Sequence, residues 1–324
     1  MAQIPRLVSK QLARLVSANQ LYKSATPVFL PFYHAVSNTE LPHILNYPYR
    51  NEKDFEAELD YILKYFKPVG LDQITKRRPK HEKIVHFSFD DGLRESAEVI
   101  APLLFRKGIP ATFFINSGFI DNKNLFHRYK ASLILGRLTE FPDAQAELLL
   151  EENGLNRKNL LRASYLQNDI LDEVATLLEL DFTTFLKSVR PYMSTGQVKD
   201  LHNKGFTIGG HSHNHIEFWQ FKTKEQLNQV EKSMTWVSKH IDQKIKVFSF
   251  PFTDDGVKKK LLKKIREENI CDLTFGTAGL KYDVFETHFQ RVPMEQNRQG
   301  KSFLKEEFMY FHLRKLFGEA SVKH

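Results

Sequence analysis

One cysteine, Cys271, stands in 324 residues. No disulfide can therefore close within the chain, which fits a reducing compartment. No apolar run reaches the roughly 18 residues that a membrane-spanning helix needs. The first residues lack the uninterrupted apolar core of a secretory signal, because Arg6, Lys10 and Arg14 break it. The expected location is the cytoplasm. There is no low-complexity tract and no internal repeat. With 41% hydrophobic and 27% charged residues, a disordered or fibrous chain is excluded. Basic residues exceed acidic ones, 47 against 39, for a formal charge of +8. They lie in short scattered clusters at Lys76-Arg77-Arg78, Lys258-Lys259-Lys260 and Lys263-Lys264, without a nucleic-acid recognition motif. Such a balance reads first as a solvated surface and second as a match for an anionic glycan or membrane. Nucleic acid is not expected as a partner.

Against these absences stands His86-Phe87-Ser88-Phe89-Asp90-Asp91-Gly92. Ile84, Val85, Phe87 and Phe89 suit a buried strand, and Gly92 permits a sharp turn after it. Two adjacent carboxylates there repel each other, and burying one unpaired costs several kcal/mol, so a positive group is expected beside them. A second motif begins 120 residues on (211 − 91): Gly209-Gly210-His211-Ser212-His213-Asn214-His215 follows a strand-like Phe206-Thr207-Ile208. If the chain turns helical there, His211 and His215 are i and i+4 and share a face. Alone, an Asp-Asp-Gly is usually a solvated turn and a His-x-x-x-His a surface or packing pair. Together, each after an apolar strand, they point to a divalent metal held by one carboxylate and two imidazoles. The other carboxylate is left free to act as a base.

Ser88-Phe89-Asp90-Asp91-Gly92 and His211-Ser212-x-x-His215 resemble the first two motifs of the polysaccharide deacetylases, carbohydrate esterase family 4. Phe248-Ser249-Phe250-Pro251-Phe252 resembles that family's aromatic-Pro motif, with Phe252-Thr253 where Tyr-Gly is usual. Ser249-Phe250 stands where many members carry an Arg that holds the base. The resemblance covers roughly residues 25–120 and 196–295. It implies a distorted (β/α) barrel and removal of N-acetyl groups from a sugar, polysaccharide or glycolipid. It implies Asp91, His211 and His215 as ligands of one divalent ion, zinc before nickel, cobalt or iron, and Asp90 as general base. Phe250, Pro251, Phe252 and Arg291 are expected at the substrate, with a backbone N–H near Phe252 on the oxyanion and Arg291 as a stand-in partner for Asp90. Tyr33-His34 resembles the branch acting on biofilm poly-N-acetylglucosamine, where a motif moved to the front supplies the general acid. That role falls on His34, with His288 as competitor. His213 is expected behind the ligands or in solvent. A non-glycan amide, an O-acetyl ester, or a silent glycan- or membrane-surface binder are the alternatives.

Along the chain, 1–24 reads as an amphipathic basic helix carrying Ile4, Leu7, Val8, Leu12, Leu15 and Val16. Residues 25–120 read as the first part of the barrel, with Pro31 demoting the Val28–Tyr33 strand to an edge or bulge. Apolar residues at helical spacing mark 121–195 as a helical insertion. The resemblance, in which strand-end loops frame the substrate groove, implies that it caps that groove, with a remote decoration as the alternative. Residues 196–300 complete the barrel, and 301–324 form a second amphipathic helix. Two such ends suggest peripheral contact with a membrane.

Overall fold

The computed structural model describes residues 6–23, 26–76, 82–296 and 300–324. Short segments rich in aromatic and β-branched residues form its centre. They are β1 (Pro31–Tyr33), β2 (Phe87–Phe89), β3 (Ala111–Ile115), β4 (Thr207–Gly210), β5 (Val247–Ser249), β6 (Leu273–Gly276), β7 (His288–Gln290) and β8 (Val292–Pro293). Nearly all these residues are buried, as they must be when helices cover a parallel sheet outside and side chains fill it within. Every neighbouring pair is parallel, in the order β7-β6-β5-β4-β3-β2-β1-β8.

Only Arg291 separates the two outermost strands. Its N–H donates to Gly276 O at 3.1 Å on β6, and the next N–H, that of Val292, donates to Leu30 O at 2.8 Å beside β1. The 288–293 segment thus pairs with one edge by its first half and with the other edge by its second. This closes the distorted (β/α) barrel. Parallel strands gather their C-terminal ends on one face. His34, the Asp90-Asp91 pair, His211, Phe250 and Glu295 all follow such ends.

Several elements depart from expectation. β1 is interior, flanked by β2 and β8; Pro31 is tolerated because it heads the strand, where a missing N–H costs least. Ile84–Val85 leaves the barrel and pairs with Lys67–Pro68. The helix after Asp91 begins as a wider turn over Ser96–Ile100, in which Ala101 N–H donates to Ser96 O; Pro102 has no N–H with which to keep the tighter register. The first helix, Arg6–Leu15, buries Ser9 and Ala13 and packs Leu12 half-buried on the core, leaving Leu7 and Leu15 exposed. It lies against the Gly300–Leu316 helix, and small residues let two backbones approach. Ile4 and residues 77–80, expected in that helix and in a charged loop, lie outside the described residues.

Between β3 and β4 come the helices His127–Glu140, Ala144–Glu152, Asn168–Leu177 and Phe182–Val189. They share a core of their own around Ile134, Leu138, Leu150, Leu171 and Val174.

Candidate active site

Asp90 ends β2 with its N–H on Tyr33 O at 2.9 Å. Asp91 and Gly92 then adopt left-handed backbone, φ 73° and 67°. For Asp91 that conformation is strained by about 1 kcal/mol or more, and it turns the carboxylate back over the strand end. The His211–His215 stretch is not helical, contrary to expectation. Ser212 and His215 are also left-handed, φ 67° and 52°, and Ser212 Oγ accepts the His215 N–H at 2.9 Å. A knotted turn, not a helical face, brings the imidazoles together.

His215 Nε2 lies 3.1 Å and His211 Nε2 3.6 Å from Asp91 Oδ1. Ligand atoms of these three residues fall within 4.8 Å of one another, and all three are buried. His211 Nδ1 lies 2.9 Å from Ser249 O. A carbonyl only accepts, so Nδ1 carries the proton and Nε2 offers its lone pair to the site. Burial pushes the His211 imidazole down to about 4, which keeps it neutral. Asp91 Oδ1 is buried and has no hydrogen-bond partner among the described residues. One carboxylate oxygen and two imidazole nitrogens facing one space without a shared donor fit a divalent cation.

Asp90 is held differently. Arg291 grips it through both nitrogens, Nη1 to Oδ1 and Nη2 to Oδ2, each at 2.7 Å. The same guanidinium donates to Ser88 Oγ at 3.0 Å and to Ser249 Oγ, and lies over Phe32 at 4.3 Å. Burial alone would raise the Asp90 carboxyl; the Arg291 guanidinium outweighs it and holds it below the usual range. Arg291, expected both at the substrate and as a partner for Asp90, is sealed beneath Asp90. Strand alternation puts its side chain inside the barrel.

His34 follows β1. Its Nδ1 meets Glu295 Oε2 at 2.5 Å, while Glu295 Oε1 accepts the N–H groups of His34 and Ala35. Burial works against charge on this imidazole, but Glu295, helped by Asp91 and Asp90, raises it to about 9. Its ring packs on Tyr47 at 4.6 Å. Tyr47 OH meets Tyr129 OH at 2.7 Å, and Tyr129 donates to Asp91 Oδ2 at 3.3 Å. Sequence reasoning missed Glu295, Tyr47 and Tyr129. Glu295 was findable as an acid at the exit of the last strand. The tyrosines carry no local signal.

Of the aromatic-Pro segment, only Phe252 reaches the site. Phe250 is fully buried against Phe218 and Phe248, so the expectation that it touches substrate fails, and Pro251 beside it is buried too. Phe252, φ 58°, sets its ring 4.5 Å from that of His215 and carries the Arg128 guanidinium at 4.1 Å. His213 is half-buried, with Nδ1 2.8 Å from Ser117 Oγ. His288 is not brought to the site. It faces out of the barrel with Gln290, bonded to Thr274 and Asp254.

The sequence matches the family model described as Polysaccharide deacetylase over residues 77–154 and 168–269. No curated protein matches it. Among solved structures, IcaB from Ammonifex degensii is similar at TM-score 0.56 and 14% identity, covering 88% of this chain and 98% of that one. The Streptococcus pyogenes deacetylase PplD, in complex with acetate, gives 0.54 and 14%, over 86% and 97%. A de-N-acetylase from Aggregatibacter actinomycetemcomitans gives 0.53 and 14%, over 86% and 99%. At such identities the likeness is one of fold.

Proposed function

The chain belongs to the polysaccharide deacetylase family, and from that premise we propose that it removes N-acetyl groups from an N-acetylated glycan or glycolipid with one divalent ion bound. The observation that carries this reading is the unequal treatment of two neighbouring carboxylates. Arg291 clamps Asp90, while Asp91 Oδ1 is left bare toward His211 and His215.

Asp91, His211 and His215 would hold the ion, zinc first by donor type. It would supply charge to polarise the acetyl carbonyl and to acidify a water. The remaining chemistry belongs to side chains. Asp90, kept ionised and fixed by Arg291, accepts the proton of the attacking water. The water oxygen bonds to the carbonyl carbon and the C–N bond breaks. His34, its Nδ1 engaged by Glu295, gives the Nε2 proton to the departing sugar nitrogen. Acetate and a free amine result. Phe252 and Tyr47 wall the space above these groups.

Peripheral membrane contact and a place on the cytoplasmic surface belong to the same proposal; cell fractionation tests the latter. The central test is acetate release from N-acetylglucosamine oligomers, glycolipids, sugar nucleotides and O-acetyl esters. Release should require metal and should fall by several orders of magnitude in Asp90→Asn while that variant keeps its metal. Unchanged release by Asp90→Asn overturns the role of the base. Release from O-acetyl esters alone overturns the N-acetyl reading.

A further inference from the structure

Outside the deacetylase site, four other side chains converge in a way that reaction does not use. Asp254 lies in the loop after β5, His288 begins β7, Asp283 belongs to the short Tyr282–Asp283 strand, and His324 comes from the tail. The tail is brought there by Ser321–Val322, which pairs in parallel with Tyr282–Asp283. His288 Nε2 is 3.1 Å from Asp254 Oδ2; His324 Nε2 is 2.9 Å from Asp283 Oδ2 and 3.9 Å from Asp254 Oδ2. One ligand atom from each of the four lies within 4.8 Å of the rest. A tetrahedral zinc site with ligands at 2.0–2.2 Å spaces them about 3.4 Å apart.

We propose that Asp254, Asp283, His288 and His324 form a second divalent metal site, closed and structural, that takes zinc or a similar transition ion. Two imidazoles and two carboxylates are the donor set, and all four side chains are at most 3% exposed. With neutral imidazoles this pocket carries two negative charges, and a divalent cation cancels both. The supporting contacts orient the donors as a metal requires. Thr274 Oγ1 engages His288 Nδ1 at 2.8 Å, leaving Nε2 to face the carboxylate. Thr277 N–H holds Asp254 Oδ1 at 3.1 Å, and the Gln290 amide holds Asp254 Oδ2 at 2.6 Å and Asp283 Oδ2 at 2.9 Å. Gly276 makes room, since a Cβ there would fall 2.3 Å from the Asp254 carboxyl carbon. Lys281 acts on Asp254 and Lys259 on His324 from the periphery. A crevice of about 640 Å³, lined by Asp254, Lys281 and His324 among others, gives an ion its path.

The competing state is one in which protons alone join the imidazoles to the carboxylates. The two differ in metal content. The full chain is loaded with Zn²⁺, dialysed, and its zinc counted by elemental mass spectrometry. Wild type should hold two ions per chain. His215→Ala should hold one, and its melting temperature should still rise with added Zn²⁺. His215→Ala combined with Asp283→Asn and His324→Ala should hold none and show no such rise. Asp283 and His324 are substituted because they belong to the short Tyr282–Asp283 strand and the tail rather than to the barrel strands, so a folded variant is expected; circular dichroism verifies this. No zinc in His215→Ala, or zinc retained by the triple variant, overturns the proposal. Neither result bears on whether the other site releases acetate.

Discussion

At the scale of single residues, the site depends on pairings across the whole chain. Asp90 and Arg291 are 201 positions apart. Replacing Arg291 by Met leaves Asp90 buried with its main partner gone. Breaking such a pair destabilises by about 3–5 kcal/mol, so the melting temperature should drop by several degrees. The carboxyl should also titrate higher, moving the acidic limb of the rate–pH profile upward. An unmoved limb in a folded Arg291→Met would remove Arg291 from the mechanism. His34 gives the opposite limb. Glu295 raises its pKa from 6.5 to about 9, so the protonated acid is lost as pH passes about 9 and activity should fall there. The raised folded value also contributes stability that is complete below 6.5 and lost as pH climbs through about 9. Glu295→Gln should shift the alkaline limb down and flatten stability across that window. Thermal melts between pH 6 and 10 and rates over the same range check both. Asp90, Asp91, His211 and His215 were legible in the sequence because each sits in a short motif with a chemical reason. Arg291 was legible as a stand-in partner for Asp90, and it is that partner in the structure. Its burial beneath Asp90, away from substrate, depends on barrel closure, which no local pattern encodes.

At the scale of elements, strands were easier to read than turns. Apolar runs gave the barrel segments, but the geometry of the ligand loop was hidden. A His-x-x-x-His spacing suggests a helix, whereas Ser212 and His215 are left-handed. Past the end of β5, Phe250 packs into the core with Phe248, whereas left-handed backbone at Phe252 brings that ring to the site. The inserted helices show why an element can matter without a motif. The His127–Glu140 helix projects Tyr129 onto Asp91 and, just before it, Phe126 onto His215, ring centroids 4.4 Å apart. The insertion is therefore part of the site's wall. Tyr129→Phe removes only the hydroxyl that donates to Asp91, the proposed ligand carboxylate, and that meets Tyr47. Loss of such supporting contacts typically costs 10–100-fold in metal affinity. Zinc titration against a competing chelator should show a fall of about that size, with little change in melting temperature. Unaltered affinity would make the Tyr129–Asp91 contact incidental.

At the scale of the whole molecule, the two ends of the chain meet. The Arg6–Leu15 helix packs on Gly300–Leu316, with Arg6 Nη1 on Glu307 Oε2 at 3.0 Å. Among the described residues no helix is long and apolar enough to cross a membrane. Yet Leu7, Leu15 and Leu316 are 69%, 82% and 80% exposed, where isolated apolar side chains gain nothing from water. They stand beside Arg6, Lys10, Arg14 and Lys315. The first helix thus has three faces: Ser9 and Ala13 inward, a basic stripe of Arg6, Lys10 and Arg14, and an outward Leu7 and Leu15. The proposed membrane contact would lay this face in a lipid interface, where apolar burial and attraction to anionic headgroups add. Sequence periodicity revealed the amphipathic character but not which face was free, because it could not foresee that serine and alanine would form the packing seam. Vesicles containing phosphatidylserine should pellet the wild-type protein at low salt, and less of it as salt rises and screens the basic stripe. Leu7→Glu with Leu15→Glu should reduce pelleting at least tenfold without changing the melting temperature, since neither side chain is packed. Equal pelleting of variant and wild type would leave these helices a purely structural pairing.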